Sequence, residues 1–598
     1  MKKYLIWMLV TLSPLAGGSV DTPVNCDLQI IENCSLADIR VLAEQGDSTA
    51  QYYLGVSYAN GQGVEQNFSL AIQWLQLAAN QGLSFAQFDL GYAYDAGVGV
   101  MQSHAEARKW YSLSASQNHP IAQNNLGVMY EYGKGVDQVY SKAADWYRLS
   151  ADLGYSVAQY NLGVLYHYGN GVKQDYGRAI ELYKLSANQN YAVAPNSLGI
   201  MYERGEGVSQ DYTEAAKWYT LSADLGEPAA YFNLGALYHY GNGFQQNFSQ
   251  ALKFYRVAAS QNYALAQNNL GYLYEAGEGV DQNYSMAADW YLLAADQGIV
   301  IAQNNLGILY AEGLGVQQNL NEAQKWWRMA AAVGSHDAQN HLGLLYLYGD
   351  GVKLDYKKSL EWFHISASQG SVVAQYNIGL VHEIQSNFVE AMKWYQLSAS
   401  QFYARAYVSI GHIYSEGLGQ KIDYEEAFKW YSKAAKENDA EGQYALGIMY
   451  QYGNGVKKDL TEAIKLYNLA AEGGLAGAQN NLGFLYSKGI GVKKSDSTAV
   501  EWFRLAANNG DVNAQFNLGV NYADGEGVKQ DFAQARKWYR IAGENGHELA
   551  LFNLGSFYFN GEGVEQNKKE AKEFFGQACD KKYQQGCNLY KVLNMEGY

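Results

Sequence analysis

Apolar and small residues return along this chain with a period of 36. A Leu-Gly or Ile-Gly pair places its glycine at 55, 91, 127, 163, 199, 235, 271, 307, 343, 379, 411, 447, 483, 519 and 555, every interval being 36 residues except the 32 between Gly379 and Gly411. Counted from that glycine, position −5 is Ala in 14 of 15 copies, with Gly442 the exception; position −1 is always Leu or Ile, and position +3 is Tyr in all but one. Steps of four set these residues along one face of a helix, here helix A, whose stripe is expected to be buried. The glycine itself is expected to admit the close approach of another backbone.

Fourteen copies continue into Gly-x-Gly, as in Gly133-Lys134-Gly135. The loop follows a helix instead of a strand, recurs in copy after copy and lacks the Lys-Ser/Thr ending of a phosphate loop, so it reads as a turn. Twelve residues after the Leu-Gly glycine, or eight in the shortened copy, comes a strong N-cap such as Asn67, Asp211 or Asp459; Val139 breaks the rule. Nine copies add Glu or Gln three residues later, the spacing of a capping box. Helix B begins there, with small residues such as Ala143 and Ala215 and an aromatic such as Trp146, Trp218 or Trp430 expected in the core. Position −9 is Gly in ten copies, Asn118, Asn190, Asn262 or Asn438 in four and Phe402 in one. Gly and Asn suit the left-handed conformation that ends a helix. The unit is therefore an αα-hairpin, and its repetition predicts an all-α solenoid of about 15 helix-turn-helix repeats, in which each unit buries its apolar face against its neighbours.

The ends add three expectations. Lys2 and Lys3, the apolar run Tyr4–Leu15 and the small residues Ala16, Gly17 and Gly18 read as a secretory signal peptide over 1–18. A capping segment over 19–49 then leads into the array. Cys26 and Cys34 are eight residues apart, as are Cys579 and Cys587, and the even count and matched spacing favour two local disulfides stapling the ends over the other pairings, with metal binding the weaker reading because no His cluster accompanies them. The chain's formal charge of −16 argues against nucleic acid as a partner. Residues 19–379 hold 18 Lys or Arg against 33 Asp or Glu, a net −15, whereas 380–598 hold 23 against 26, a net −3.

Ala-x-x-x-Leu-Gly-x-x-Tyr, Gly-x-Gly-Val, Ala-x-x-Trp-Tyr and Ala-Ala together resemble the Sel-one-like repeat family, relatives of the tetratricopeptide repeats, over essentially the whole chain beyond the signal segment. The resemblance implies a right-handed αα superhelix acting as an adaptor in protein complexes, with helix A lining a concave groove. Exported bacterial members include host-entry factors and cell-envelope assembly or regulatory proteins. Carried onto this chain, the groove positions are −3, +4 and +5. Position −3 supplies Phe88, Asn124, Tyr160, Phe232, Asn268 and Asn304; position +4 supplies Glu131, His167, Glu203, His239 and Glu275; position +5 supplies Tyr132, Tyr168 and Tyr240. Aromatic bodies with polar tips suit an extended peptide or a partner's loop. Successive Glu and His cannot share a metal, because stacked units lie roughly 10 Å apart and metal bonds are near 2 Å.

One copy departs three times: His382 replaces the helix A Tyr, the Gly-x-Gly loop is missing before Asn387, and Phe402 holds the Gly or Asn position. A hinge over 380–411 is expected to divide an acidic array, 50–379, from a second one, 412–585, closed by a half-repeat over 586–598. No catalytic triad, paired acid site or cofactor fingerprint rises above the repeat pattern, so no enzyme activity and no cofactor are expected. The sequence points to an exported, periplasmic or secreted scaffold that binds a protein or extended peptide from the host cell or the cell envelope, with a periplasmic regulator of a cell-wall enzyme or peptidoglycan as the alternative.

Overall fold

The computed structural model describes residues 34–598, so the expected signal peptide over 1–18, most of the expected capping segment up to residue 33 and Cys26 lie outside the described residues. Every regular element there is a helix, 32 in all among the described residues. Fifteen A–B pairs run from Ser48–Asn60 with Phe68–Asn80 to Glu548–Asn560 with Lys568–Asp580, preceded by Leu36–Glu44 and followed by Gln584–Met595. The chain divides into two compact units, one reaching Ala302 and including Leu314–Gln317, the other made of Gln303–Gly313 and Gln318–Tyr598.

Local chemistry sets the helix ends as the sequence implies. Helix A closes on a left-handed glycine, such as Gly133 at φ 68°. Asn118, Asn190, Asn262 and Asn438 are left-handed at the other bend, and Phe402 with them at φ 64°. The N-cap oxygens accept as expected, Asn67 Oδ1 from the Leu70 amide at 3.0 Å, while Val139 makes no such bond. The reciprocal half of the capping box differs from expectation. Glu214 and Glu462 turn instead to the lysines three residues on, with Glu214 to Lys217 at 2.7 Å and Glu462 to Lys465 at 2.9 Å, because an ammonium within reach offers a charged donor that the N-cap amide does not.

The core also differs in two particulars. The aromatic at its centre is the Tyr after the Trp: Tyr147 and Tyr219 are fully buried, whereas Trp146 and Trp218 are partly buried against the cluster formed by their own helix A and the preceding helix B. The Leu-Gly glycine makes room for that Tyr ring and not for a backbone. A Cβ on Gly199 would lie 2.5 Å from Cδ1 and Cε1 of Tyr219. Ring and glycine are thus a complementary pair in fourteen of the fifteen repeats, the first having Leu75 in place of the ring.

Partly buried bonds from serines tie helix B to its own helix A, and a bond between asparagines joins neighbouring repeats. Ser150 Oγ donates to the Pro120 carbonyl at 2.6 Å, Ser186 Oγ to Ser156 at 2.8 Å, and Asn161 Nδ2 to Asn124 Oδ1 at 3.0 Å. The irregular copy keeps this scheme: Ser398 Oγ donates to the Val372 carbonyl at 3.0 Å, Gln401 Nε2 to Gln375 Oε1 at 2.8 Å, and Tyr395 to Glu383 at 2.5 Å. Its missing residues are absorbed in the connection, where Ser386 turns left-handed at φ 60° ahead of Asn387. His382 is partly buried, with Nδ1 buried and without a hydrogen-bond partner among the described residues. Phe402 is 75% exposed in a conformation that costs an L side chain about 1–2 kcal/mol. Phe402→Gly is therefore expected to raise stability by about 0.5–1 kcal/mol in urea unfolding, the gain being reduced by glycine's greater freedom in the unfolded chain; unchanged or lower stability would mean that the ring's contacts outweigh the backbone strain.

The C-terminal staple is present, Cys579 to Cys587 with Cα atoms 4.5 Å apart. Cys34 is buried and disulfide-bonded, and its expected partner Cys26 lies outside the described residues.

Candidate partner-binding face

Helix A carries the candidate residues on three rows, and the rows have different environments. The +4 row turns its polar groups toward the core tyrosine of its own repeat. Tyr147 donates to Glu131 at 2.5 Å, Tyr219 to Glu203 at 2.5 Å and Tyr291 to Glu275 at 2.6 Å. In the copies with His, the Nδ1 atoms of His167 and His239 stand 3.4 Å from the hydroxyls of Tyr183 and Tyr255. Burial, reinforced by the bond to Glu131, pushes the Tyr147 hydroxyl far above its ordinary value, so it remains a donor at any pH the fold meets. Both His167 and His239 are buried. His167 Nε2 also meets Glu206 of the next repeat at 2.8 Å.

The −3 row is half-buried or buried and is used in packing between repeats. Phe88 stacks on His119 with centroids 4.8 Å apart. Tyr160 packs against Tyr183 and Tyr191, at 5.5 and 5.4 Å, and Phe232 against Tyr255 and Tyr263, at 5.7 and 5.4 Å. Asn124 accepts from Asn161, and Asn268 Nδ2 donates to Asn269 at 3.2 Å. Asn304 accepts twice, its carbonyl from Trp327 Nε1 and its Oδ1 from His341, each at 3.1 Å.

The +5 row stands clear. Tyr132, Tyr168 and Tyr240 are 65%, 62% and 64% exposed at the last turn of helix A. The +4 histidines support two of these rings from beneath, with centroids 4.5 Å apart for His167 and Tyr168 and 4.6 Å for His239 and Tyr240. The arrangement can offer flat, amphipathic rings held at one level of each repeat, and it contains no assembled nucleophile and base.

The Sel1 repeat model matches fifteen successive segments, from 48–83 through the shortened 372–401 to 549–583. The chain belongs to the Sel1 repeat family. Among solved structures, a protective antigen of uropathogenic Escherichia coli strains with an SLR fold is 35% identical over 76% of this chain and 91% of its own, with a TM-score of 0.49. A Sel1 repeat protein from Oxalobacter formigenes is 30% identical over 55% of this chain and 98% of its own, with a TM-score of 0.43. No curated protein matches the chain. Sel1 repeat proteins typically mediate protein–protein interaction and are generally non-catalytic. Among the described residues of this Sel1 repeat chain, no helix is long and apolar enough to cross a membrane.

One set of structural residues in the Sel1 array escapes the sequence argument. Gln at position −4 is buried, and in Gln87 its Nε2 caps the Ala79 carbonyl at 3.1 Å while its Oε1 accepts from Gln117 at 2.8 Å. The same pair recurs in Gln159 with Gln189 and Gln339 with Gln369. Its signal in the sequence is a polar residue repeated beside the nearly constant Ala of position −5, where a solvated face would have drifted.

Proposed function

We propose that this Sel1 repeat protein is an exported, non-catalytic scaffold that binds an extended segment of a partner protein across the ends of its A helices, at a host-cell or cell-envelope surface. The observation that carries this reading is the row of exposed tyrosines, Tyr132, Tyr168 and Tyr240, in the first unit. Each ring keeps about two-thirds of its surface in solvent, and Tyr brings large contact area at low entropy cost to an interface. Tyr348 and Tyr452 hold the same position in the second unit, 57% and 66% exposed. The Cys579–Cys587 disulfide supports an oxidising location outside the cytosol.

Replacing Tyr132, Tyr168 and Tyr240 together with Ala is expected to weaken partner binding at least tenfold, since each buried aromatic anchor contributes on the order of 1 kcal/mol or more, while helix content by circular dichroism stays unchanged. Affinity equal to that of the unaltered protein would remove this part of the face from the interface.

A further inference from the structure

Position −2 of helix A is Asn in nine copies, and the second repeat alone places a carboxylate there, Asp89. The packing does not require that charge. Where a Tyr at position −3 meets the following repeat elsewhere, its hydroxyl bonds to a neutral group: Tyr160 to Ser197, Tyr376 to Ser409 and Tyr444 to Asn481. Tyr52 stands in the same relation to Asp89. Burial and the Tyr52 hydrogen bond are the influences on the carboxyl, and among the described residues lining the cavity none is a Lys or Arg. Asp89 is half-buried and lines a cavity of about 380 Å³, whose other walls are mostly aliphatic side chains such as Val56, Ile72 and Ile121 and aromatic rings, with the neutral amides Asn60 and Asn125.

Those rings are arranged as a cage. Phe88 stacks on His119 at 4.8 Å, Phe85 meets His119 edge-on at 5.3 Å, and Tyr52 lies 6.3 Å from Phe85. Phe85 is 57% exposed at the mouth. Burial lowers the proton affinity of His119, and its Nδ1 already accepts the Ala122 amide at 3.3 Å, so at neutral pH it is an uncharged wall and no counter-ion to Asp89. Ring faces attract cations, most strongly where water is excluded, and a carboxylate at the floor adds a full charge.

We propose that this cavity receives one cationic side chain, Arg or Lys, of the partner polypeptide, with Asp89 as counter-charge, Tyr52, Phe85, Phe88, Tyr92 and His119 as aromatic walls, and room for an aliphatic neighbour. The inference rests on the scaffold reading and deepens it by naming the chemistry of the bound segment. Charge complementarity supports this occupant: residues 34–302 of the unit that holds the cavity carry 13 Lys or Arg against 24 Asp or Glu, a net −11, and attract a basic segment from a distance.

The site carries its own pH signature. Burial raises the Asp89 carboxyl to about 7, so near neutrality a bound cation competes with a proton. The other titratable groups facing it are the hydroxyls of Tyr52, Tyr92 and Tyr111, which remain protonated, and His119, which is neutral above its lowered value; Asp95, near Tyr92 and Tyr111, is held by His104 at 2.8 Å. Cation affinity therefore rises as pH rises through about 7 and falls toward pH 5.5.

The test uses the full chain and two fluorescent peptides, acetyl-Gly-Leu-Arg-Leu-Gly amide and its citrulline counterpart, in which a neutral urea replaces the guanidinium. At pH 8 the Arg peptide is expected to bind at least tenfold tighter, to lose most of that advantage at pH 5.5, and to lose it at both pH values in Asp89→Asn, a variant compatible with the fold because Asn occupies this place in nine other copies. Equal binding of the two peptides, or an Arg preference that survives in Asp89→Asn, overturns the proposal. A tyrosine triple variant that still loses its partner in that case shows that the face is used and that this cavity is not its cation receptor.

Discussion

Gly127→Ala is expected to destabilise its repeat by about 1–3 kcal/mol, although Ala is the better helix former by about 1 kcal/mol. The added Cβ would sit 2.5 Å from Cδ1 and Cε1 of Tyr147, a ring with no exposed surface and a hydroxyl already tied to Glu131. The ring has nowhere to move without breaking that bond, so overpacking outweighs propensity. Gly55→Ala provides the contrast. Its Cβ would meet the flexible Leu75, 3.0 Å from Cγ, and the Ala71 carbonyl oxygen at 3.1 Å, and the expected change is within about 1 kcal/mol of zero, since a rotamer shift and a few tenths of an ångström of helix movement suffice. Urea unfolding, with hydrogen exchange over Pro120–Tyr132 and Tyr140–Asp152 for the first variant and over Ser48–Asn60 and Phe68–Asn80 for the second, reads both effects. Equal cost at the two glycines would mean that the aromatic ring does not decide the matter.

Glu131→Ala should cost about 2 kcal/mol of stability, because it strands the Tyr147 hydroxyl where water cannot replace the lost acceptor. Removing the hydroxyl as well, in Glu131→Ala with Tyr147→Phe, is expected to restore about half of that loss or more. Denaturant unfolding of the two singles and the double closes the cycle. A coupling near zero would free Glu131 from its structural role and return it to the surface available to a partner.

Most of the backbone was legible in the sequence because its causes are local. Asn67 and Asp211 announce helix B through cap chemistry, and Gly133 with Asn118 announces the two bends through the left-handed conformation, all within a few residues of the effect. The misreadings concern contacts between helices. Trp146 looked like the core aromatic because it is the larger ring, but the register of helix B turns Tyr147 inward. Gly127 was legible as a close approach, whereas the approaching group, twenty residues away, was not. Glu131 and His167 lie one residue before exposed tyrosines, and nothing in the spacing tells that a buried phenol sits under the first position and solvent over the second. Of the candidate rows only the +5 tyrosines stay exposed, Tyr132, Tyr168 and Tyr240 in the first unit with Tyr348 and Tyr452 in the second, and the Asp89 cavity came to light only through the structure.

The central claim, that a partner lies across the ends of the A helices and not along the B helices, is tested most directly by placing the photoreactive residue p-benzoylphenylalanine at Tyr132 and, separately, at Leu149, an exposed position on helix B. After irradiation of each full-length protein with envelope fractions and with host extract, a discrete crosslinked partner is expected from position 132 and none from 149. A partner captured at 149 and absent at 132 would contradict the account.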